Sequence, residues 1–110
     1  METIQFKVQG SASEPYATVF KRDGENLTAH CTCPAGEVGQ YCKHRLRILS
    51  GETEGIVSGN ERDVITVQSW LKGTDVETAL NDVAQAERRF DEAKRELDKS
   101  KKKLARALMT

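Results

Sequence analysis

All three cysteines and one of the two histidines of this chain lie within the fourteen residues 31–44. They form the pattern Cys-x-Cys, eight residues, Cys-x-His, and the four positions are Cys31, Cys33, Cys42 and His44. Structural zinc sites take four Cys or His ligands in a tetrahedron, and three cysteines with one histidine are a common set. In an extended segment, side chains two residues apart point to the same side, so Cys31 and Cys33 can face one ion. The pattern therefore predicts one structural Zn²⁺ per chain.

Other interpretations of the cysteines stay open at this stage. Free cysteines are often buried as small apolar residues, and a redox-active thiol is a further alternative. One disulfide with a spare thiol is disfavoured, because the count is odd and the N-terminus lacks the form of a secretory signal. We therefore expect a reducing, cytoplasmic location. His30 lies between the alternating positions, so we expect it to face away from the metal.

The four ligand positions, with Pro34 directly after the second and Lys43 between the last two, resemble the SWIM-type zinc finger. This family is a small ββα domain found in chromatin remodellers, transposases and many bacterial proteins. The resemblance extends over about residues 16–49, which is under a third of the chain. It implies a structural zinc ion and a role in binding DNA or another protein, and it does not imply catalysis.

The residues around the motif predict a small α+β fold. Period-two alternation of apolar residues and an Asp23-Gly24 turn predict a β-hairpin preceded by one more strand. Apolar residues at helical spacing predict two short helices after the motif, although β-branched residues in the second keep a strand open as an alternative. We expect strands at 4–8, 16–21 and 27–33, a helix at 45–49, and a helix at 61–72 that is capped by Asn60 and buries Val64, Val67, Trp70 and Leu71.

The C-terminal third predicts one long helix. Thr74 and Glu77 have the spacing of a capping box, and residues 75–109 contain neither glycine nor proline. Large apolar residues recur every seven positions, and a small residue follows each of them three positions later, which is a heptad pattern. The predicted seam consists of Val76, Ala79, Val83, Ala86, Phe90, Ala93, Leu97, Ser100, Leu104 and Ala107.

A stripe this narrow on so long a helix requires a partner surface. We expect the helix to form a homodimer or to bind another protein, and packing on its own head or a solvated helix are the alternatives. The predicted organisation is a zinc-finger head at residues 1–50, a connector with a short helix at 51–73, and the long amphipathic helix at 74–110.

The charge balance argues against a dedicated nucleic-acid-binding protein, because the chain has 17 basic and 17 acidic residues. No apolar run is long enough to span a membrane. A zinc ion with four protein ligands has no open position, so we expect neither enzymatic activity nor a small-molecule substrate. The sequence favours an adaptor module that binds a protein partner. The alternative is a DNA-binding finger that contacts phosphates through Lys43, Arg45, Arg47, Lys21 and Arg22.

Overall fold

The computed structural model describes residues 1–109, which form two compact units, one from Met1 to Val76 and one from Glu77 onward. The elements in chain order are β1 (Glu2–Val8), β2 (Tyr16–Asp23), β3 (Asn26–Cys31), α1 (Pro34–Glu37), α2 (Lys43–Leu49), α3 (Asp63–Leu71) and α4 (Asp75–Ala107). The predicted α+β fold class, with its β-hairpin and long C-terminal helix, is confirmed.

The three strands form one antiparallel sheet in the order β1-β2-β3. Asp23 pairs with Asn26, so the hairpin turn consists of the two residues Gly24 and Glu25. Gly24 has a φ of +63°, which a first turn residue needs in the turns whose twist matches that of the flanking strands. This hairpin carries Cys31 at the end of its second strand.

One face of the sheet is buried and the other faces solvent, as the period-two pattern predicts. On the inner face, Phe6 lies opposite Thr18, and Thr18 lies opposite Cys31. Phe6 also packs edge-to-face on Phe20, with ring centroids 5.9 Å apart. All four of these side chains are buried. His30 belongs to the outer face and is exposed, as the sequence predicts.

The connector after α2 is attached to β1. Ile56 forms an antiparallel bridge with Val8, and the backbone N–H of Val57 donates to the carbonyl of Lys7 over 2.8 Å. The backbone N–H of Gln9 donates in turn to the carbonyl of Gly55. These bonds extend the ladder at the open edge of the sheet, which otherwise would present free backbone groups.

The helix after the connector is α3, and the strand alternative was wrong. Val64, Val67, Trp70 and Leu71 are all buried, so the predicted apolar face is confirmed. The helix begins at Asp63, two residues later than predicted. The predicted cap was wrong: the side-chain amide of Asn60 donates to the carbonyl of Gln5 over 3.0 Å, because this residue fastens the connector to the sheet.

The helix α4 is continuous from Asp75 to Ala107, and none of its side chains is buried. Three of the large seam residues are mostly exposed, with Phe90 at 69%, Leu97 at 53% and Leu104 at 62% of their full surface. Across residues 1–109, no helix combines the length and apolar character needed to cross a membrane.

Candidate metal centre

The four predicted ligands meet in one buried cluster. Their ligand atoms all lie within 4.8 Å of one another. The Sγ atoms of Cys33 and Cys42 are 3.4 Å apart. The Nδ1 atom of His44 is 3.8 Å from the Sγ of Cys31 and 3.7 Å from the Sγ of Cys42. The histidine therefore turns Nδ1 toward the sulfur atoms.

This geometry fits a tetrahedral zinc ion. Bonds of about 2.3 Å to sulfur and about 2.0 Å to nitrogen put neighbouring ligand atoms about 3.6 to 3.8 Å apart in a tetrahedron. The three separations given above lie near that range, and the others are at most 4.8 Å. All three cysteines are free thiols, and the Cys33–Cys42 separation is well above the roughly 2.05 Å of a disulfide. The donor set of three soft sulfurs and one imidazole nitrogen suits zinc.

The first two ligands lie on either side of a strand end. Strand β3 stops at Cys31, two residues before the predicted end at residue 33. Cys33 is the N-cap of α1, and its backbone is still extended, with φ −64° and ψ 159°. Pro34 follows at the first helical position, where proline favours helix initiation and ends the ladder. The two thiols therefore face one side although only one of them belongs to the sheet.

The short helix α1 was not predicted, and it depends on Gly36. The backbone N–H of Gly36 donates to the Sγ of Cys33 over 3.3 Å. A Cβ atom at this position would lie 2.4 Å from the carbonyl oxygen of Cys31 and 2.8 Å from its Cβ. The absence of a side chain therefore allows α1 to approach the end of β3. The sequence signals for this segment were Pro34, Gly36 and Gly39 in the interval between the ligand pairs.

The second pair of ligands lies at the start of α2. This helix begins at Lys43, two residues before the predicted start, so His44 is inside its first turn. Cys42 is the N-cap, with an extended backbone. A thiolate at this end of a helix is favoured by the exposed backbone N–H groups. One element thus holds the third and fourth ligands in a fixed relation.

Three residues that the sequence did not single out surround the ligands. The hydroxyl of Thr18, which is fully buried, donates to the Sγ of Cys31 over 3.5 Å. The ring of Tyr16 lies against the ring of His44, with centroids 5.1 Å apart. Gly10 lies so close to both rings that an added Cβ would be 2.5 Å from Tyr16. These residues are far from the motif in sequence, and no local pattern identified them.

The ionisation of the ligands depends on burial and on nearby donors. Burial raises the pKa of the Cys31 thiol to about 11, although the hydrogen bond from Thr18 acts in the opposite direction. Burial also disfavours the Cys42 thiolate, but the backbone N–H of Arg45 and other hydrogen bonds outweigh it and lower its pKa. Burial, reinforced by nearby cations, lowers the pKa of His44, which keeps its imidazole neutral and able to ligate at neutral pH.

Two of the five predicted phosphate contacts are engaged within the head. The guanidinium of Arg45 donates to the carbonyl of Ala29 over 3.1 Å and to the carbonyl of Gln40 over 2.6 Å. It therefore ties α2 to the hairpin and to the loop before the helix. Arg22 lies 4.0 Å from the carboxylate of Glu2 on the neighbouring strand.

The other three basic residues do not share one surface. Lys43 and Arg47 are exposed and four residues apart on α2. Lys21 alternates with the buried Phe20 on β2, so it belongs to the outer face of the sheet. Helix α2 carries a ligand that meets Cys31 on the inner face. The structure therefore does not bring the predicted contacts together into one basic patch.

A cleft of about 490 Å³ opens beside the metal site, and no sequence pattern predicted it. Its lining is mainly apolar and includes Tyr16, Tyr41, Pro34 and Ala35, together with the aliphatic and charged side chain of Lys43. Three of the four metal ligands also border it. Tyr41 is 65% exposed although it is aromatic. The zinc site therefore supports one wall of a surface depression of ligand-binding size.

Comparison with known proteins agrees with this site. Residues 6–50 match the family model of the SWIM zinc finger. No curated protein and no solved structure matches the chain at a significant level. The matched segment begins ten residues before the predicted resemblance, because β1 is part of the same sheet. The chain therefore contains a SWIM zinc finger at residues 6–50, in which Cys31, Cys33, Cys42 and His44 hold one structural zinc ion.

Proposed function

We propose that this protein is a zinc-stabilised adaptor of a reducing cytoplasm, whose finger binds a segment of a partner protein. The long helix α4 serves as its assembly element. The observation that carries the proposal is the apolar cleft beside the zinc site, between Tyr16 and Tyr41. Its volume of about 490 Å³ is sufficient for one or two apolar side chains of an extended partner segment.

The character of the cleft favours protein over nucleic acid. Aromatic residues are enriched at the centres of protein interfaces, where they bury area at low cost in conformational entropy. Tyr41 has most of its surface available for such a contact. Lys43 also lines the cleft, so an acidic residue next to the apolar one would add a favourable charge interaction.

Nucleic-acid binding is the second candidate, and the exposed Lys43 and Arg47 support it. Non-specific affinity for nucleic acid grows with the number of phosphates that a basic surface neutralises. The intramolecular bonds of Arg45 and Arg22 reduce that number here. The net charge of zero gives no general attraction to phosphate either. Protein binding therefore remains the better supported proposal.

We propose a binding role rather than catalysis because protein ligands fill all four coordination positions of the zinc ion. Three thiolates and one imidazole complete the tetrahedron of a structural zinc ion, so water has no position on the metal. The contribution of zinc is then to folding, since a site whose ligands come from three elements binds metal and orders the head in one step.

The experiment uses the full chain loaded with zinc and a random peptide library displayed on phage. We expect enrichment of peptides with an apolar residue beside an acidic one, and loss of their binding in Tyr41→Ala. The matched control is Ile65→Ala, which removes another exposed apolar side chain, 72% exposed and outside the cleft. A chelator should abolish binding in the wild type and in Ile65→Ala, because three of the metal ligands line the cleft.

The competing outcome is measured with a DNA duplex and a single strand at low salt. Affinity that falls steeply with salt, together with loss in Lys43→Glu and Arg47→Glu, would favour the nucleic-acid alternative. If no peptide is enriched, or if the enriched peptides bind Tyr41→Ala as tightly as they bind the wild type, the cleft is not a protein-binding site.

A further inference from the structure

The helix α4 has a strongly uneven distribution of charge. Residues 75–87 contain four acidic and no basic residues, whereas residues 99–106 contain five basic and no acidic residues. Two such helices in parallel would align acidic with acidic segments and basic with basic segments. An antiparallel pair would bring each acidic segment beside the basic segment of the other copy, which is favourable.

The seam itself fits an antiparallel pair of identical helices in one particular register. When Phe90 of one copy lies opposite Ala93 of the other, every large seam residue meets a small one. Knobs of alternating size then fill the space between the helices evenly. The resulting layers are Val76 with Ala107, Val83 with Ser100, Phe90 with Ala93, Leu97 with Ala86, and Leu104 with Ala79. A parallel pair would instead stack large on large and small on small.

The residues that flank the seam select the same register. In an antiparallel pair, the position just before a large seam residue on one helix lies beside the equivalent position on the other helix. The position just after a small seam residue likewise lies beside its equivalent on the other helix. In this register the charged pairs that lie closest along the axis all have opposite signs. They are Asp82 with Lys103, Arg89 with Glu96, and Glu87 with Lys94 of the second copy.

A parallel pair in register would have less favourable flanks. There Asp82 would lie beside Glu87 of the second copy, and Arg89 would lie beside Lys94. Both contacts join like charges, and only Glu96 with Lys101 would attract. Like charges across a helix interface suppress the wrong arrangement.

We propose that α4 binds α4 of a second copy of this chain, antiparallel, with Phe90 opposite Ala93. The exposure of Phe90, Leu97 and Leu104 in the single chain leaves the seam available for this contact. The inference rests on the assembly role in the proposed function and adds its occupant, orientation and register. At 1.5 Å per residue, the two Thr74 residues would be separated by about 50 Å. A dimer of this form can engage two separated partner segments at once.

Reversal of one flanking charge tests the arrangement in the full zinc-loaded chain. In Arg89→Glu, two symmetry-related attractions become repulsions with Glu96, so we expect the dimer dissociation constant to rise about tenfold. The double variant Arg89→Glu with Glu96→Arg should restore it. The control Arg88→Glu makes the same charge change on the side of the helix away from the seam. Sedimentation equilibrium over a range of concentrations measures all four proteins.

The outcomes separate the parts of the inference. Weakening in Arg89→Glu that the double variant reverses, with no change in Arg88→Glu, supports the proposed register. A tighter dimer in Arg89→Glu would indicate a parallel pair, since it would remove the repulsion from Lys94, and would overturn the orientation. If the dimer dissociation constant of Arg89→Glu equals that of the wild type, the proposed register is overturned. A monomeric wild-type chain at high concentration overturns pairing between copies, while the peptide experiment on the finger stays independent of this result.

Discussion

Replacing Gly36 with alanine tests whether close approach at α1 holds the first two zinc ligands in place. The new Cβ would lie 2.4 Å from the carbonyl oxygen of Cys31. Ordinary contacts between such atoms need about 1 Å more. The clash is with backbone, so either α1 or the end of β3 must move. Cys33 is the N-cap of α1, and any such movement changes its position relative to Cys31.

The expected effect follows from the tolerance of the metal site. Zinc–ligand distances hold to within about 0.2 Å, which is smaller than the displacement that the methyl group requires. Overpacking in a close-packed region costs about 1–3 kcal/mol. This energy corresponds to a loss of roughly 5- to 150-fold in zinc affinity. Helix propensity alone predicts the opposite sign, because alanine is better than glycine in a helix by about 1 kcal/mol.

The assay is a competition titration of zinc against a chromophoric chelator, with Co²⁺ spectra to report tetrahedral coordination. Gly39→Ala is the control, because nothing lies within 4 Å of its added Cβ, although its φ of +72° makes alanine strained. We expect it to cost stability without changing the ligand geometry. If Gly36→Ala binds zinc as tightly as the wild type and is more stable, close approach of α1 does not constrain the site.

Two further predictions concern the same ligands. Thr18→Val removes the hydroxyl that donates to Cys31. It should weaken zinc binding about 10- to 150-fold, since hydrogen bonds to charged groups contribute about 1.5–3 kcal/mol. Thr18→Ser should retain most of the affinity in the same titration, and equal affinities of the two variants would show that the hydroxyl does not contribute to zinc binding. Zinc affinity should fall as pH falls, because burial raises the pKa of Cys31 to about 11 and binding must displace its proton at any lower pH. The zinc affinity should change about tenfold per pH unit for each proton that binding displaces. His44, whose pKa is lowered, should add to this slope only in acid. Equal zinc affinities on either side of neutral pH would contradict the prediction.

The ligand set was predictable because a metal site depends on residue chemistry at short spacing. Cys31 and Cys33 are two positions apart in extended backbone, which holds whether or not both belong to a strand. The buried face of α3 was also predictable, since Val64 and Val67 follow the helical period. The ligand spacing and the apolar face of α3 both depend only on residues that are close in sequence, so local backbone geometry is enough to predict them.

Two misplaced boundaries, at the start of α3 and at the end of β3, have different causes. Asparagine is a residue type that often caps helices, but the side-chain amide of Asn60 donates to the carbonyl of Gln5, fifty-five residues away in sequence. Strand β3 ends early because Pro34 starts a helix whose approach depends on Gly36. The bond from Asn60 depends on a segment that is distant in the chain, so no local pattern could reveal it. The early end of β3 is a local event that Pro34 signals, since proline favours the first position of a helix.

The sequence by itself therefore determined the zinc ligands, the α+β class and the amphipathic character of α4, all of which follow from residue type and period. Only the tertiary structure decided what surrounds the metal. Folding brought the hydroxyl of Thr18 and the ring of Tyr16 to the ligands, engaged Arg45 with two carbonyls, and opened the cleft beside Tyr41. Such contacts join residues that are distant in the chain, and their energies depend on packing that periodicity does not encode.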